Sequence, residues 1–234
     1  MRGVRLPAGP VDQFADWLSR PGTLSGPGGI WVRTGEHIAY TGLTLAIALA
    51  IALPIGLYVG HTGRGRVGVV AAAGMLRALP TLGMVTLFIL LSGTLGVMPP
   101  IWALVLLAVP PLLAGTAAGI GAVPKQVVDG ARAVGMTEPQ VLFRVEVPNA
   151  LPVLMGALRL AVLQILATVA VVAVINLGGL GRFLMDGIAV RDYGQVLGGA
   201  VTIAILAIVV DAVLAVVQKF AVSPGLATHS GGKP

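Results

Sequence analysis

Few side chains in this 234-residue chain could do chemistry. There is no cysteine, so thiolate nucleophiles, disulfides and cysteine metal sites are excluded, and the redox compartment is left open. The histidines, His37, His61 and His229, are scattered and lie outside the centres of the apolar runs, which gives neither a metal cluster nor a Ser/His pair. An intramembrane protease or transferase, the competing enzyme reading, therefore lacks a nucleophile and its base. Gly231-Gly232-Lys233 precedes a terminal proline and cannot cradle phosphate between a strand and a helix, and no Gly-x-x-x-x-Gly-Lys-Ser/Thr occurs elsewhere. The chain is expected to bind no metal or other cofactor and not to hydrolyse ATP itself.

The remaining candidates are polar residues embedded in apolar sequence. Arg77 falls well inside the run Val67 to Leu91, where an unpaired charge costs about 2.5 to 3.5 kcal/mol on insertion scales. It must face protein or water, and Pro80 just beyond it predicts a kinked helix lining a central path. Two roles are open for Arg77: gating that path, or a structural pair with Asp211 or with a carboxylate of a partner subunit. The pair is favoured. Pro80 and Thr81, and in a later run Gln164 and Thr168, are the other path candidates, the latter two in a polar stripe with Arg159 and Asn176. Arg159 is expected near the inner surface, with its head group snorkelling outwards. Gly42, Gly56, Gly74, Gly83, Gly156 and Gly198 are expected to let helices cross closely.

These residues need elements to hold them, and composition says which. The chain is 56% hydrophobic and 10% charged, against about 25% charged in soluble domains. With a mean hydropathy of +0.96, a bilayer is the implied solvent. Five continuous apolar runs, about Tyr40 to Val59, Val67 to Leu91, Ile101 to Ala122, Leu151 to Asn176 and Val196 to Val217, are each near or above the roughly 20 residues a crossing helix needs. Because they are continuous, not alternating, the spans are helices and the fold class is an all-α integral membrane protein. The net charge of +6 comes with no basic cluster and only 5% aromatics, so nucleic acid is not an expected partner, whereas membrane lipid is.

Residues 1–36 form an extracytoplasmic arm in this reading, 37–220 the membrane domain and 221–234 a flexible cytoplasmic tail. The arm holds no apolar core for a cleaved signal, so the first span is expected to serve as both signal and anchor. Within it, Val11 to Ser19 either lies on the membrane surface, with Trp17 and Trp31 at the interface, or is a solvated arm. Basic residues split almost evenly between the two sides. The basic loop Gly60 to Arg66 against the uncharged Ser92 to Pro100 gives only a slight preference for an outside N-terminus.

The segment from about 123 to 150 is too structured for a connector. Pro124 suits the first turn of a short helix, and Gly135 is a natural stop. Thr137 with Gln140 three residues on has capping-box spacing, Pro139 is tolerated in the first turn, and Pro148 and Pro152 are expected to end this second helix and start the next span.

The sequence Asp129-Gly130-Ala131, three residues, Gly135, nine residues, Val145-Glu146-Val147-Pro148 resembles the cytoplasmic EAA loop of ATP-binding-cassette (ABC) importer permeases, whose pattern is Glu-Ala-Ala, three residues, Gly, nine residues, Ile-x-Leu-Pro. Asp replaces Glu, Gly replaces Ala, and Val replaces both Ile and Leu, while every spacing is kept. Arg77 to Gly83, Asn176 to Gly181 and His37 to Thr44 look like the osmoprotectant (glycine betaine, carnitine, choline) branch, and the likeness covers roughly residues 35–219. The resemblance implies a five-span permease subunit paired with a second, identical or homologous one. It further implies separate ATPase subunits that carry ATP and Mg, and an extracytoplasmic solute-binding protein that sets specificity, since the spans hold too few aromatics for a cation cage. Asp129, Gly130, Ala131, Ala133, Gly135, Met136 and Pro148 would form the ATPase-coupling loop. That loop must then be cytoplasmic, which puts the N-terminus outside and the C-terminus inside. Related branches import methionine or other amines; a channel or secondary transporter is the reading from another class.

Overall fold

The computed structural model describes residues 9–175 and 177–222, apart from the side chain of Arg77. Asn176, the tail from 223 and the role expected of the Arg77 side chain lie outside the described residues. Those residues form ten α-helices and no strand. They are α1 (Pro10–Ser19), α2 (Ile30–Thr62), α3 (Arg66–Arg77), α4 (Thr81–Ser92), α5 (Met98–Gly121), α6 (Lys125–Ala133), α7 (Glu138–Val141), α8 (Val147–Val172), α9 (Gly181–Val190) and α10 (Tyr193–Ala221). Four helical segments are long and apolar enough to cross a membrane, or up to five if the bent pair α3–α4 counts as one.

The second apolar run is therefore not one straight helix. It is bent by 92° between α3 and α4, a sharper break than the expected kink. Pro80 has no N–H to continue the ladder and disfavours helical geometry at Leu79 before it; its own backbone is extended (φ −68°, ψ 120°) where it caps α4. Of the other helices, α2 and α10 extend past their apolar stretches at both ends. α2 has 33 residues, about 50 Å at 1.5 Å per residue, against a hydrocarbon core of about 30 Å.

The bundle is centred on α5, which packs against α2 along one side and α8 along another. Ala48 and Ala52 of α2, Leu104 and Ala108 of α5, and Ala161 and Ile165 of α8 are all at most 3% exposed. Small residues bring the helices together: a Cβ added at Gly56 would come within 2.6 Å of Thr116, and one at Gly60 within 2.6 Å of Ile120. Of the glycines expected to do this, Gly56 and Gly198 do, but Gly42, Gly74 and Gly156 face open space and Gly83 touches only Pro80. Composition marks a glycine; only the crossing point decides whether it is needed.

A second cluster joins the arm to the last span. Trp17 of α1 is 3% exposed, in edge-to-face contact with Phe183 of α9 (ring centroids 5.3 Å) and beside Leu206 of α10. Trp17 is therefore not solvated: the absence of a side chain at Gly198 opens a seat for its ring on α10. Trp31 is 69% exposed. Arg20 pairs with Asp192, which also caps α10 by accepting from the Gln195 N–H (3.0 Å). The Arg20 hydrogen bond, first among several causes, holds the Asp192 carboxyl below its ordinary range.

Candidate functional site

The bundle ends in a hairpin made by α6, Gly135 and α7. α6 ends in a Schellman motif: the Gly135 N–H donates to the Arg132 carbonyl (2.9 Å) and the Met136 N–H to the Ala131 carbonyl (3.2 Å). That geometry needs the left-handed φ of +87° found at Gly135. The Thr137 N–H then donates to Gln140 Oε1 (2.9 Å), the expected capping contact, with Pro139 in the first turn of α7. Val128 and Val141 are buried against Ile120 and Ala150, which anchors the hairpin to α5 and α8. Asp129, Gly130, Arg132, Ala133, Val134 and Gly135 are exposed, and Ala131 and Met136 half-buried.

One expectation is corrected here. Pro148 and Pro152 do not end the second helix; a π-helical turn, Leu142–Glu146, carries it without interruption into α8. The Val147 N–H reaches back five residues to the Leu142 carbonyl. The ladder is thus already opened where Pro148 lacks a donor, and Asn149 Nδ2 satisfies the Val145 carbonyl (2.7 Å). Pro148 sits at the start of α8 and is exposed.

A chain of charged contacts crosses the hairpin. Arg132 donates from Nε and Nη2 to the two carboxylate oxygens of Glu138 (2.9 Å each), and Nη1 stands 3.6 Å from Asp129. The Glu138 hydrogen bond is the first cause that pushes the Arg132 guanidinium further towards its charged form. Beyond Glu138 lies His61, from the last turn of α2: its Nε2 is 3.0 Å from Glu138 and its Nδ1 2.6 Å from Glu146. Glu146 is 5% exposed.

At the opposite end of α2, two neighbouring side chains hold the turn that follows α8. Glu36 accepts the Gly179 N–H (2.7 Å), and His37, wholly buried, accepts the Leu180 N–H at Nδ1 (3.3 Å) while Nε2 faces the Leu166 carbonyl (3.0 Å). A single tautomer, with hydrogen on Nε2, satisfies both contacts.

The path candidates partly converge. Thr81, Gln164 and Thr168 line one cavity with Ala73, Leu79, Leu107, Pro110 and Pro111, at the break between α3 and α4; Pro80 caps α4 beside it. The Thr168 hydroxyl donates to the Gln164 carbonyl (2.6 Å). Among the described residues that line it, none is charged or aromatic. Arg159 and Asp211 are instead partners of each other, from α8 and α10: Nε and Nη2 reach Oδ1 at 3.0 and 2.8 Å, Nη2 reaches Oδ2 at 2.9 Å, and Nη1 reaches Gln218 at 3.1 Å. Asp211 is thus held by Arg159.

Residues 41–223 match the family described as binding-protein-dependent transport system inner membrane component. The chain belongs to that family. This transport component is 31% identical over 199 residues, 85% of its own length and 91% of the relative's, to the glycine betaine/carnitine/choline transport system permease protein OpuCB of Bacillus subtilis. It is 34% identical over 182 residues, 76% and 85% of the two lengths, to the osmoprotectant import permease protein OsmW of Salmonella typhimurium. Among solved structures it is similar to a chain of the inward-facing MetNI methionine ABC transporter, with a TM-score of 0.72, 22% identity and coverage of 83% and 97% of the two chains, a likeness of fold. The family expected from the Asp129–Pro148 spacing, the permease subunits of ABC importers in their osmoprotectant branch, is the one found. It is a membrane-spanning transport subunit.

Proposed function

We propose that this chain forms half of a transmembrane path through which a compact quaternary-ammonium osmoprotectant of the glycine betaine or choline type is imported, driven by ATP hydrolysed on a separate subunit. ATP and Mg belong to that subunit, which grips the α6–Gly135–α7 hairpin. A second permease, identical or homologous, completes the path, and an extracytoplasmic binding protein delivers the solute.

The observation that carries this reading is the hairpin itself. Its anchor residues Val128 and Val141 face the bundle, while Asp129, Gly130 and Val134 are turned outwards with nothing covering them. Small residues at Gly130, Ala131 and Ala133 suit a close approach by a partner. An ATPase acts in the cytosol, so the hairpin and the His61 end of α2 are placed inside, with the N-terminal arm outside and the C-terminus inside. Among the described residues, the cavity at Thr81, Gln164 and Thr168 is lined by neutral polar and apolar groups, with no aromatic ring or carboxylate, which suits brief passage of a cation better than its selection. Specificity is accordingly assigned to the binding protein.

The test is purification in mild detergent followed by reconstitution. The chain should retain an ATPase, a cysteine at Asp129 or Val134 should cross-link to it, and glycine betaine uptake into vesicles should require ATP. Uptake by the isolated chain without ATP would mean a channel or secondary transporter instead.

A further inference from the structure

We infer that His61 is the positioning residue that ties the coupling hairpin to the inner end of α2, using both ring nitrogens as donors to two carboxylates. The inference deepens the proposed function and rests on it. Glu146 lies in the π-helical turn that leads into α8, and Glu138 opens α7; neither belongs to α2, so the imidazole is a polar link among the three elements, beside the apolar packing of Leu57 of α2 against the hairpin cluster.

The chemistry follows from donor counting. A carboxylate offers only acceptors, and a neutral imidazole offers one N–H and one lone pair. A ring with carboxylate oxygens 2.6 Å from Nδ1 and 3.0 Å from Nε2 hydrogen-bonds to both only when both nitrogens carry hydrogen. His61 therefore acts here as an imidazolium making two charge-assisted bonds. The last turn of α2 favours that cation through the helix dipole. The surroundings agree: the ionisable groups facing it are Glu146 from the π-helical turn and Glu138 from α7, with Arg132 and Asp129 of α6 behind Glu138. α5, also packed on this end of α2, contributes no ionisable side chain.

The two contacts differ in how they are held. A side chain with one donor would keep the shorter bond to Glu146, whose side chain is 6% exposed, and give up Glu138, which is 56% exposed and still held by Arg132. The hairpin would then stay folded but come loose from α2. A glutamine at 61 has a single donor nitrogen and reaches one carboxylate, whereas arginine keeps the charge and several donors.

Because the chain has no native cysteine, nitroxides can be placed cleanly on Thr62→Cys and Gln140→Cys, both exposed. In lipid nanodiscs the label-to-label distance distribution should be narrow in the unaltered chain, broad in His61→Gln and narrow in His61→Arg. In the complete importer, with its ATPase and binding protein, His61→Gln should lower glycine betaine moved per ATP about fivefold, the low end of site-to-site couplings, and His61→Arg should restore at least half. Distances indifferent to His61→Gln, or a transport ratio that does not fall with them, overturn the inference. Absence of ATP-driven uptake in the unaltered importer would overturn the proposed function instead, while the distance measurement still decides the role of His61.

Discussion

Replacing Gly135 isolates the contribution of backbone geometry at the hairpin corner. Its φ is +87°, and a Cβ there would meet nothing within 4 Å, so a substitution is penalised by conformation and not by collision. Holding an L-residue in the left-handed region costs about 1 to 2 kcal/mol, with β-branched side chains at the upper end. If the corner is strained out of place, the two capping bonds, Gly135 N–H to Arg132 and Met136 N–H to Ala131, are lost together. One or two kcal/mol is a factor of about 5 to 30 in a local equilibrium. Gly135→Ala should therefore lower solute transported per ATP about fivefold and Gly135→Val about thirtyfold, measured as parallel uptake and ATP hydrolysis in proteoliposomes holding the whole importer. Gly130 supplies the control: it too has nothing within 4 Å of a Cβ, but it lies inside α6, where alanine is better by up to about 1 kcal/mol. An unchanged ratio in Gly135→Val refutes the corner's role. Equal losses in Gly135→Ala and Gly130→Ala would refute the conformational argument, since only steric exclusion from a partner's groove would then explain both.

The two members of the Arg159–Asp211 pair should not contribute additively: Asp211→Asn is expected to lower stability by about 1 to 3 kcal/mol, and Arg159→Leu with Asp211→Leu to cost less than the two single changes summed, read by thermal unfolding in detergent. Gly198→Val would place a side chain on the Trp17 ring, so α1 should undock and become cleavable by protease before the spans unfold; continued protection would show that α1 is held otherwise. The depressed Asp192 carboxyl contributes to that docking above its unfolded range and loses its contribution as pH falls through its lowered value in the folded chain. α1 should stay docked at neutral and mildly acidic pH and loosen below the ordinary value of 3.8, as followed by Trp17 fluorescence.

What could be read from the sequence divides by range along the chain. The hairpin was legible because its signals are local: Gly135 stops α6, and Thr137 meets Gln140 three residues away. The fate of Pro148 was not, since a proline that ends a helix and one accommodated by a π-helical turn look alike until the five-residue reach of Val147 is seen. The polar path was partly legible. Thr81, Gln164 and Thr168 do share a cavity, but only because the chain breaks at Pro80 more sharply than a kink. Pairings between distant residues left no trace in any periodicity: Arg159 with Asp211, His61 with Glu146 and His37 with Leu180 are separated by 52, 85 and 143 positions. A histidine that looks scattered in sequence was thus dismissed twice, at 37 and at 61, where the fold gives it specific partners. The only signal available was that each stands beside the end of an apolar run, where a helix leaves the membrane and must hold on to something.

These two histidines give α2 a mechanical role that its composition conceals. Residues 37 and 61 lie about 36 Å apart along a helix rising 1.5 Å per residue. One end grips the turn after α8 through Glu36 and His37, and the other grips the hairpin before α8 through His61. Between them, Ala48, Ala52, Gly56 and Gly60 press against α5 with no side-chain bulk to yield, and a close-packed seam of this kind resists bending more than sliding. A pull on the hairpin is therefore conveyed to the far turn as a tilt or slide of the whole rod. α8 offers a less direct route, because the π-helical turn at its start is a place where the helix can change its winding. If the proposed ATPase moves the hairpin, α2 should report that motion at Glu36 with little loss, and loosening either grip should disconnect the two ends without unfolding the seam between them.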